Sequence, residues 1–170
     1  AVAQHRAGDD SAALVAPAAP RVQFVFIGGG IDVERLKAVA AERQLPNVLF
    51  LARRPPAEIG AVLNLAEVLL VHLRDDPLFN ITIPSKTQGY MAAGKPILMA
   101  VRGDSAALVQ QAGAGVICEP QAPEALAATV LDLASRPPAE LQAMGARGRE
   151  FYWRELSLAC GVTRFEAVFE

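Results

Sequence analysis

Apolar residues in this chain fall into short, nearly unbroken runs, and between the runs they recur every three or four positions. The runs are residues 22–27 (V-Q-F-V-F-I), 48–51 (V-L-F-L), 68–73 (V-L-L-V-H-L), 97–101 (I-L-M-A-V) and the shorter 115–118 (G-V-I-C). Runs of this length without polar alternation predict strands covered on both faces, as in a parallel sheet. Helical spacing occupies the intervals. Asp32 can cap a helix to about Gln44, with Val33, Leu36 and Val39 or Ala40 on its buried side. Further helices are expected over residues 57–65, from Asp104 or Ser105 to Gln111, over 123–135, and as a final pair from Pro138 that breaks near residues 155–157. Strand and helix alternate throughout. That rhythm predicts a doubly wound parallel α/β sheet of Rossmann type with helices on both faces, whose ligands bind beyond the C-terminal ends of the strands.

Ahead of the first strand the pattern is weaker. Gly8, Asp9 and Asp10 make a polar break between two short helical stretches, and Pro17 and Pro20 close the segment. Residues 1–6 read like the tail of a helix, so the chain is expected to be a piece of a longer protein.

The best-defined element is residues 83–96, I-P-S-K-T-Q-G-Y-M-A-A-G-K-P. Ser85 suits an N-cap, and Gln88 three positions later completes a capping box, with Pro84 restricting the chain just before it. Gly94 suits a left-handed stop, and Pro96 keeps the helix from resuming before the next strand. Two residues in it are unfavourable for the helix alone. Lys86 places a cation in a first turn that is already about half a charge positive, a cost of roughly 0.3 to 1 kcal/mol that a bound phosphate reverses. Gly89 in mid-helix costs about 1 kcal/mol relative to Ala, and Ala92 and Ala93 leave the surface beside it bare. Either a ligand approaches here, or Lys86 is simply solvated and the helix packs closely on a neighbour. Tyr90 and Met91, on the opposite face, are expected in the core.

Charge and cysteine content narrow the chemistry. A net charge of −2 over 170 residues provides no broad basic face, so no nucleic-acid partner is expected. Any anion must be met locally. Cys118 and Cys160 form neither a disulfide framework nor a zinc pattern, which fits a reducing cytoplasm. No apolar run approaches the roughly 20 residues of a membrane-spanning helix, and the Ala-rich start lacks the basic region of a signal peptide.

The candidate site residues gather at the C-terminal ends of the expected strands. Gly28, Gly29 and Gly30 follow the first strand, but Val33 stands where the dinucleotide fingerprint needs its third glycine, and no acidic residue ends the next strand, so NAD is not the expected ligand. These glycines serve either a tight turn or the close approach of a ligand. Ala52, Arg53 and Arg54 follow the second strand, where the arginines face a diphosphate or are solvated before Pro55 and Pro56. His72 ends the third strand, either donating to a phosphate or sugar hydroxyl or lying satisfied in the core. It has no neighbouring ligand residue in sequence, and His5 stands apart, so no metal is indicated. Ser85, Lys86 and Thr87 make the strongest site, because helix-end amides, hydroxyls and a cation converge there. No Ser-His-Asp or Cys-His set appears, so no catalytic residue is assigned within the chain.

In this order the motifs resemble the C-terminal, donor-binding half of the GT-B glycosyltransferases, family 4, the glycosyl transferases group 1. The segments that carry the resemblance are V-Q-F-V-F-I-G-G-G followed by E-R-L, L-P-N-V-L-F-L-A-R-R-P-P-A-E-I, A-E-V-L-L-V, I-P-S-K-T-Q-G-Y-M-A-A-G-K-P-I-L and A-G-V-I-C-E-P-Q-A-P-E-A-L-A. It runs from Val22 to about Ser135 and more weakly through the closing helices. P-S-K with Y-M-A-A-G-K-P is its most specific part and is similar to the WbuB-like bacterial branch that builds O-antigen and capsule polysaccharides.

The resemblance implies that the diphosphate of a sugar nucleotide lies over Pro84, Ser85 and Lys86, that Thr87, Gln88 and Gly89 belong to the same donor-binding turn, and that the loop Ala52, Arg53, Arg54 holds the base, with His72 beside the cleft. Two departures stand out. The family often carries two glutamates eight positions apart, where this chain has Ile81 and Gly89; Gln88 is the candidate replacement. The family domain also usually opens with a further strand and glycine turn, which nothing before Val22 resembles. The implied protein is a retaining hexosyltransferase that takes an NDP-sugar, UDP favoured, and a lipid-linked saccharide acceptor bound by a missing N-terminal domain. It needs no obligatory metal and no cofactor, and works in the cytoplasm at the inner face of the plasma membrane, with peripheral association of the full-length protein. Residues 1–170 would be its single nucleotide-sugar-binding domain, inactive alone. A nonhydrolysing UDP-sugar epimerase shares the layout and the phosphate turn, and a non-catalytic Rossmann-like interaction domain is the third reading.

Overall fold

The computed structural model describes residues 22–169, so the helical stretches and His5 expected near the start lie outside the described residues. From there the chain runs β1 (Phe24–Ile27), α1 (Val33–Glu42), β2 (Val48–Leu51), α2 (Pro56–Asn64), β3 (Leu69–His72), α3 (Pro77–Asn80), α4 (Ser85–Ala93), β4 (Ile97–Ala100), α5 (Asp104–Gln111), β5 (Gly115–Ile117), α6 (Pro123–Ser135) and α7 (Pro138–Phe151). A π-helical turn, Tyr152–Leu156, then leads into α8 (Leu158–Glu166). All pairings are parallel, with Phe24 beside Val48, Leu69 beside Ile97 and Ile97 beside Gly115. This is the doubly wound α/β architecture.

β4 is the centre of the molecule. Its four residues are all buried, and because successive strand side chains point to opposite faces they feed two separate clusters. Ile97 and Met99 join Val71, Met91, Val109 and Phe151 on one side, where α4, α5 and the end of α7 cover the sheet. Leu98 and Ala100 join Cys118 and Leu133 on the other, under α6. Burying a side chain such as Met91 or Ile97 contributes about 1.5 to 3 kcal/mol, so the second half of the chain carries most of the stability.

The first half departs from expectation. The strands form two sheets, β1-β2 and β3-β4-β5, instead of one. The Phe24 and Gly28 amides donate to Asn47 and Leu51 of the β2 side, at 2.8 and 3.1 Å, so the amides of Val25 and Ile27 point the other way. On β3, Leu69 and Leu73 donate to Pro96 and Ala100 of the β4 side, at 2.9 and 3.4 Å, so Leu70 and His72 face outward. Among the described residues, β1 and β3 therefore each have one edge without a strand partner. The expected two-sided cover of β1 also fails: Val25, Phe26 and Ile27 are exposed, and neither α1 nor α2 contributes a buried residue. Leu36, on the expected inner face of α1, is exposed too.

The two halves are linked through α2 and α4. There Lys95 Nζ donates to the carbonyl of Asn64 at 2.8 Å, holding the C-terminal end of α2 where cations are favourable. The same end of α4 is held against α7, where Gly145 meets Gly94.

Candidate functional site

A helix that joins two parallel strands must run back along the sheet, so α4 starts at the C-terminal edge of β3 and β4. Its start is one residue earlier than the capping box implies. The carbonyl of Pro84 accepts from the Thr87 amide at 2.9 Å, which makes Pro84 the cap, and Ser85 is already helical with no side-chain capping bond. The reason is backbone geometry: Pro84 sits at φ −60°, ψ 139°, extended as a cap residue requires, and Ser85 follows as the first residue of the turn. Peptide N–H groups of Ser85 and Lys86 are left as the free donors of the first turn. No acidic residue lies in that turn to neutralise it.

Helical periodicity then sorts the candidates on α4. Ser85, Lys86 and Gly89 are exposed, and a Cβ at Gly89 would meet no atom within 4 Å, so the bare surface is real. Thr87 does not share it. Four positions before buried Met91, it turns to the core, is fully buried, and its Oγ1 has no hydrogen-bond partner. Gln88 is half-buried, and Tyr90 packs partly against the main core cluster, whose apolar surroundings push its phenol above the usual range. Gly94 ends the helix in the left-handed conformation, φ 69°, as expected.

A second group gathers on the other sheet. Because Ile27 pairs with Leu51, the loops after β1 and β2 emerge side by side, and Gly28, Gly29, Arg53 and Arg54 line one open hollow of about 450 Å³. Ala52 and both arginines are exposed. Of the three glycines only Gly28 has a backbone, φ 134°, that favours glycine, and none of the three would bring a Cβ within 4 Å of another atom. A tight turn therefore explains Gly28 and leaves Gly29 and Gly30 unexplained; space for an approaching molecule accounts for all three.

His72 closes β3 with its side chain exposed, which rules out the core-histidine reading. Asp32 stands at the N-cap of α1 without capping it; the Arg35 guanidinium, bonded at 3.1 Å, holds its carboxyl below the usual range, and Arg74 adds to that.

Two features were not anticipated. The stretch from Asp75 to Ile83 contains α3, whose N-terminus is capped by Asp76 Oδ1 accepting from Leu78 N at 2.9 Å. Neither Asp104 nor Ser105 caps α5, because Gly103 takes that place. Arg102 instead ties three rim loops together, donating to Asp75 Oδ2 at 3.0 Å and through Nε to Glu119 Oε2 at 2.9 Å. Residues from three different loops carry no spacing signal, so only the fold brings them together. Among the described residues no three His, Cys, Asp or Glu side chains are grouped to hold a metal ion, and no helix is long and apolar enough to cross a membrane.

Parallel strands with helices packed on them, and loops gathered at the strands' C-terminal rim, define an α/β domain of the GT-B type. The chain belongs to the glycosyl transferases group 1 family, whose model matches residues 10–151. It is 34% identical over 122 residues to the probable glycosyltransferase WbjE of Pseudomonas aeruginosa, covering 68% of this chain and 30% of that one. Sucrose-phosphate synthase of Thermosynechococcus elongatus shares the fold with a TM-score of 0.74 at 20% identity, over 86% of this chain and 37% of that one. Anabaena HepE, solved in complex with UDP-glucose, shares it with a TM-score of 0.71 at 17% identity, over 88% and 41%. The chain spans 30% to 41% of the length of these relatives.

Proposed function

We propose that this chain is the nucleotide-sugar-binding domain of a two-domain glycosyltransferase, with the diphosphate of an NDP-sugar seated on the first turn of α4. The observation that carries this reading is the start of α4. An uncapped, acid-free helix end opens on the strand rim with Lys86 in its first turn and empty space beside Gly89. Free N–H groups of Ser85 and Lys86 together with the ammonium stabilise negative charge as it builds on the departing diphosphate. The hollow lined by Arg53 and Arg54 takes the base, with Gly28, Gly29 and Gly30 leaving room for the donor and His72 at the cleft wall. Thr87 supports the turn from inside, and Gln88 is the polar side chain nearest the place of the family's missing glutamate.

UDP is favoured over GDP. The acceptor is a lipid-linked saccharide bound by the other domain, in O-antigen or capsule synthesis of the WbuB-like kind at the cytoplasmic face of the plasma membrane, and residues 1–170 alone bind the donor and transfer nothing. Family membership favours transfer over epimerisation and over a purely structural role.

Titrating UDP and GDP while following the Ser85 and Lys86 amides by NMR tests the proposal. Shifts at both residues with UDP, and weaker ones with GDP, are expected; no perturbation by either nucleotide removes the donor site. Turnover of UDP-GlcNAc without an acceptor by a longer protein containing this domain would instead make it an epimerase.

A further inference from the structure

Between α3 and α4 the chain has nothing apolar to hold it. Ile81 is 73% exposed and Ile83 39% exposed, and Thr82 between them is exposed as well. Yet this segment delivers Pro84 and so sets the direction of the first turn of α4. What holds it is the turn between β4 and α5. Gly103, at φ 76° and ψ −145°, lies so close to Asn80 that a Cβ built on it would stand 1.9 Å from the Asn80 carbonyl oxygen. Ser105, fully buried, donates from Oγ to the Thr82 carbonyl at 3.2 Å. Behind this turn, Arg102 is anchored to Asp75 and Glu119, and the Asp75 amide donates to Gln121 Oε1 at 2.9 Å.

We propose that Ser105 and Gly103 are positioning residues for the anion-binding turn: by fixing the backbone at Thr82 and Asn80 they aim the free amides of Ser85 and Lys86. The inference rests on the donor-site reading above and adds the device that holds that site. Thr82 itself bonds back only to α3, Oγ1 to the Leu78 carbonyl at 2.6 Å and N to the Phe79 carbonyl at 3.4 Å, so the buried Ser105 hydroxyl is what fixes the segment relative to the β4–α5 turn. Geometry matters here because donors that meet an anion must be held in place before it arrives.

The test compares Ser105→Ala, Ser105→Thr and Leu133→Ala in the same chain. Leu133 is buried in the opposite core cluster, far from the turn in the fold. Ser105→Ala is expected to move the Thr82 to Lys86 amide signals in the free protein, leave those of Tyr90 to Gly94 in place, and weaken UDP binding about fivefold, the effect of one net hydrogen bond. Ser105→Thr, which keeps the hydroxyl, is expected to restore both. Leu133→Ala is expected to lower Tm and leave UDP affinity unchanged. If Ser105→Ala leaves both the free-state signals and the affinity unmoved, or if Leu133→Ala weakens UDP binding as much, the inference is overturned. If the wild-type chain binds no UDP, the donor reading fails while the amide signals still decide whether Ser105 positions the turn.

Discussion

Gly145 of α7 lies against the carbonyl of Gly94, close enough that a Cβ on Gly145 would stand 2.1 Å from that oxygen. The last turn of α4 and the middle of α7 therefore meet backbone to backbone, with Gly148 one turn further giving way to Ala114 and Met91. Replacing Gly145 with Ala is expected to destabilise the domain by about 1 to 3 kcal/mol or more through overpacking, with a fall in the urea midpoint as the measurement. Gly94→Ala should also destabilise, because φ 69° strains any residue with a Cβ.

Lys86 and Gly89 should trade stability against binding. Gly89→Ala meets no atom, so it is expected to raise stability by about 1 kcal/mol, and Lys86→Met to raise it by about 0.3 to 1 kcal/mol by removing a cation from a positive helix end. Both should weaken UDP binding, Lys86→Met by about tenfold and less at high salt. Thermal melts and calorimetric titrations of the same variants decide it, and gains in both quantities would oppose a ligand at this turn.

Tyr90 should set an alkaline limit. Burial raises its folded pKa above the unfolded 10.0, so its contribution is fully present below the unfolded value and is lost as pH rises through the folded one. Tyrosinate absorbance should show one of the two tyrosines ionising late, and Tyr90→Phe should flatten the loss of stability at high pH.

The opposite sign applies to Glu155, which joins the π-helical turn to α8. Hydrogen bonds from Arg164 and then Arg154 hold its carboxyl below the usual range, so the stabilisation is present above the unfolded pKa and is lost as pH falls through the lowered folded one. Glu155→Gln is expected to loosen α8 at neutral pH, seen as faster amide exchange from Cys160 to Phe165, and to remove the acid-dependent part of that loosening.

How far the chain could be read in advance follows from what each signal depends on. β2 and α6 begin and end where their local pattern places them, and Gly94 stops α4 as expected, because a run of apolar residues or a left-handed glycine acts over a few positions. The cap at Ser85 was misplaced by one residue: a hydroxyl followed by Gln is a statistical preference, and the extended backbone of Pro84 outweighs it. Thr87 looked like a ligand group beside Ser85 and Lys86 until the turn angle of the helix carried it inward to Met91. The division into two sheets depends on strand neighbours, which no local pattern reports. Arg102, Ser105 and Gly103 act on residues 17 to 27 places away, and are silent for the same reason.

The open rims of β1 and β3 bear on handling as well as on architecture. Among the described residues, β1 has no strand partner on its outer edge and its Val25, Phe26 and Ile27 are exposed, a surface onto which a strand from another molecule can add. Dilution is therefore expected to prolong the time this polypeptide stays dispersed.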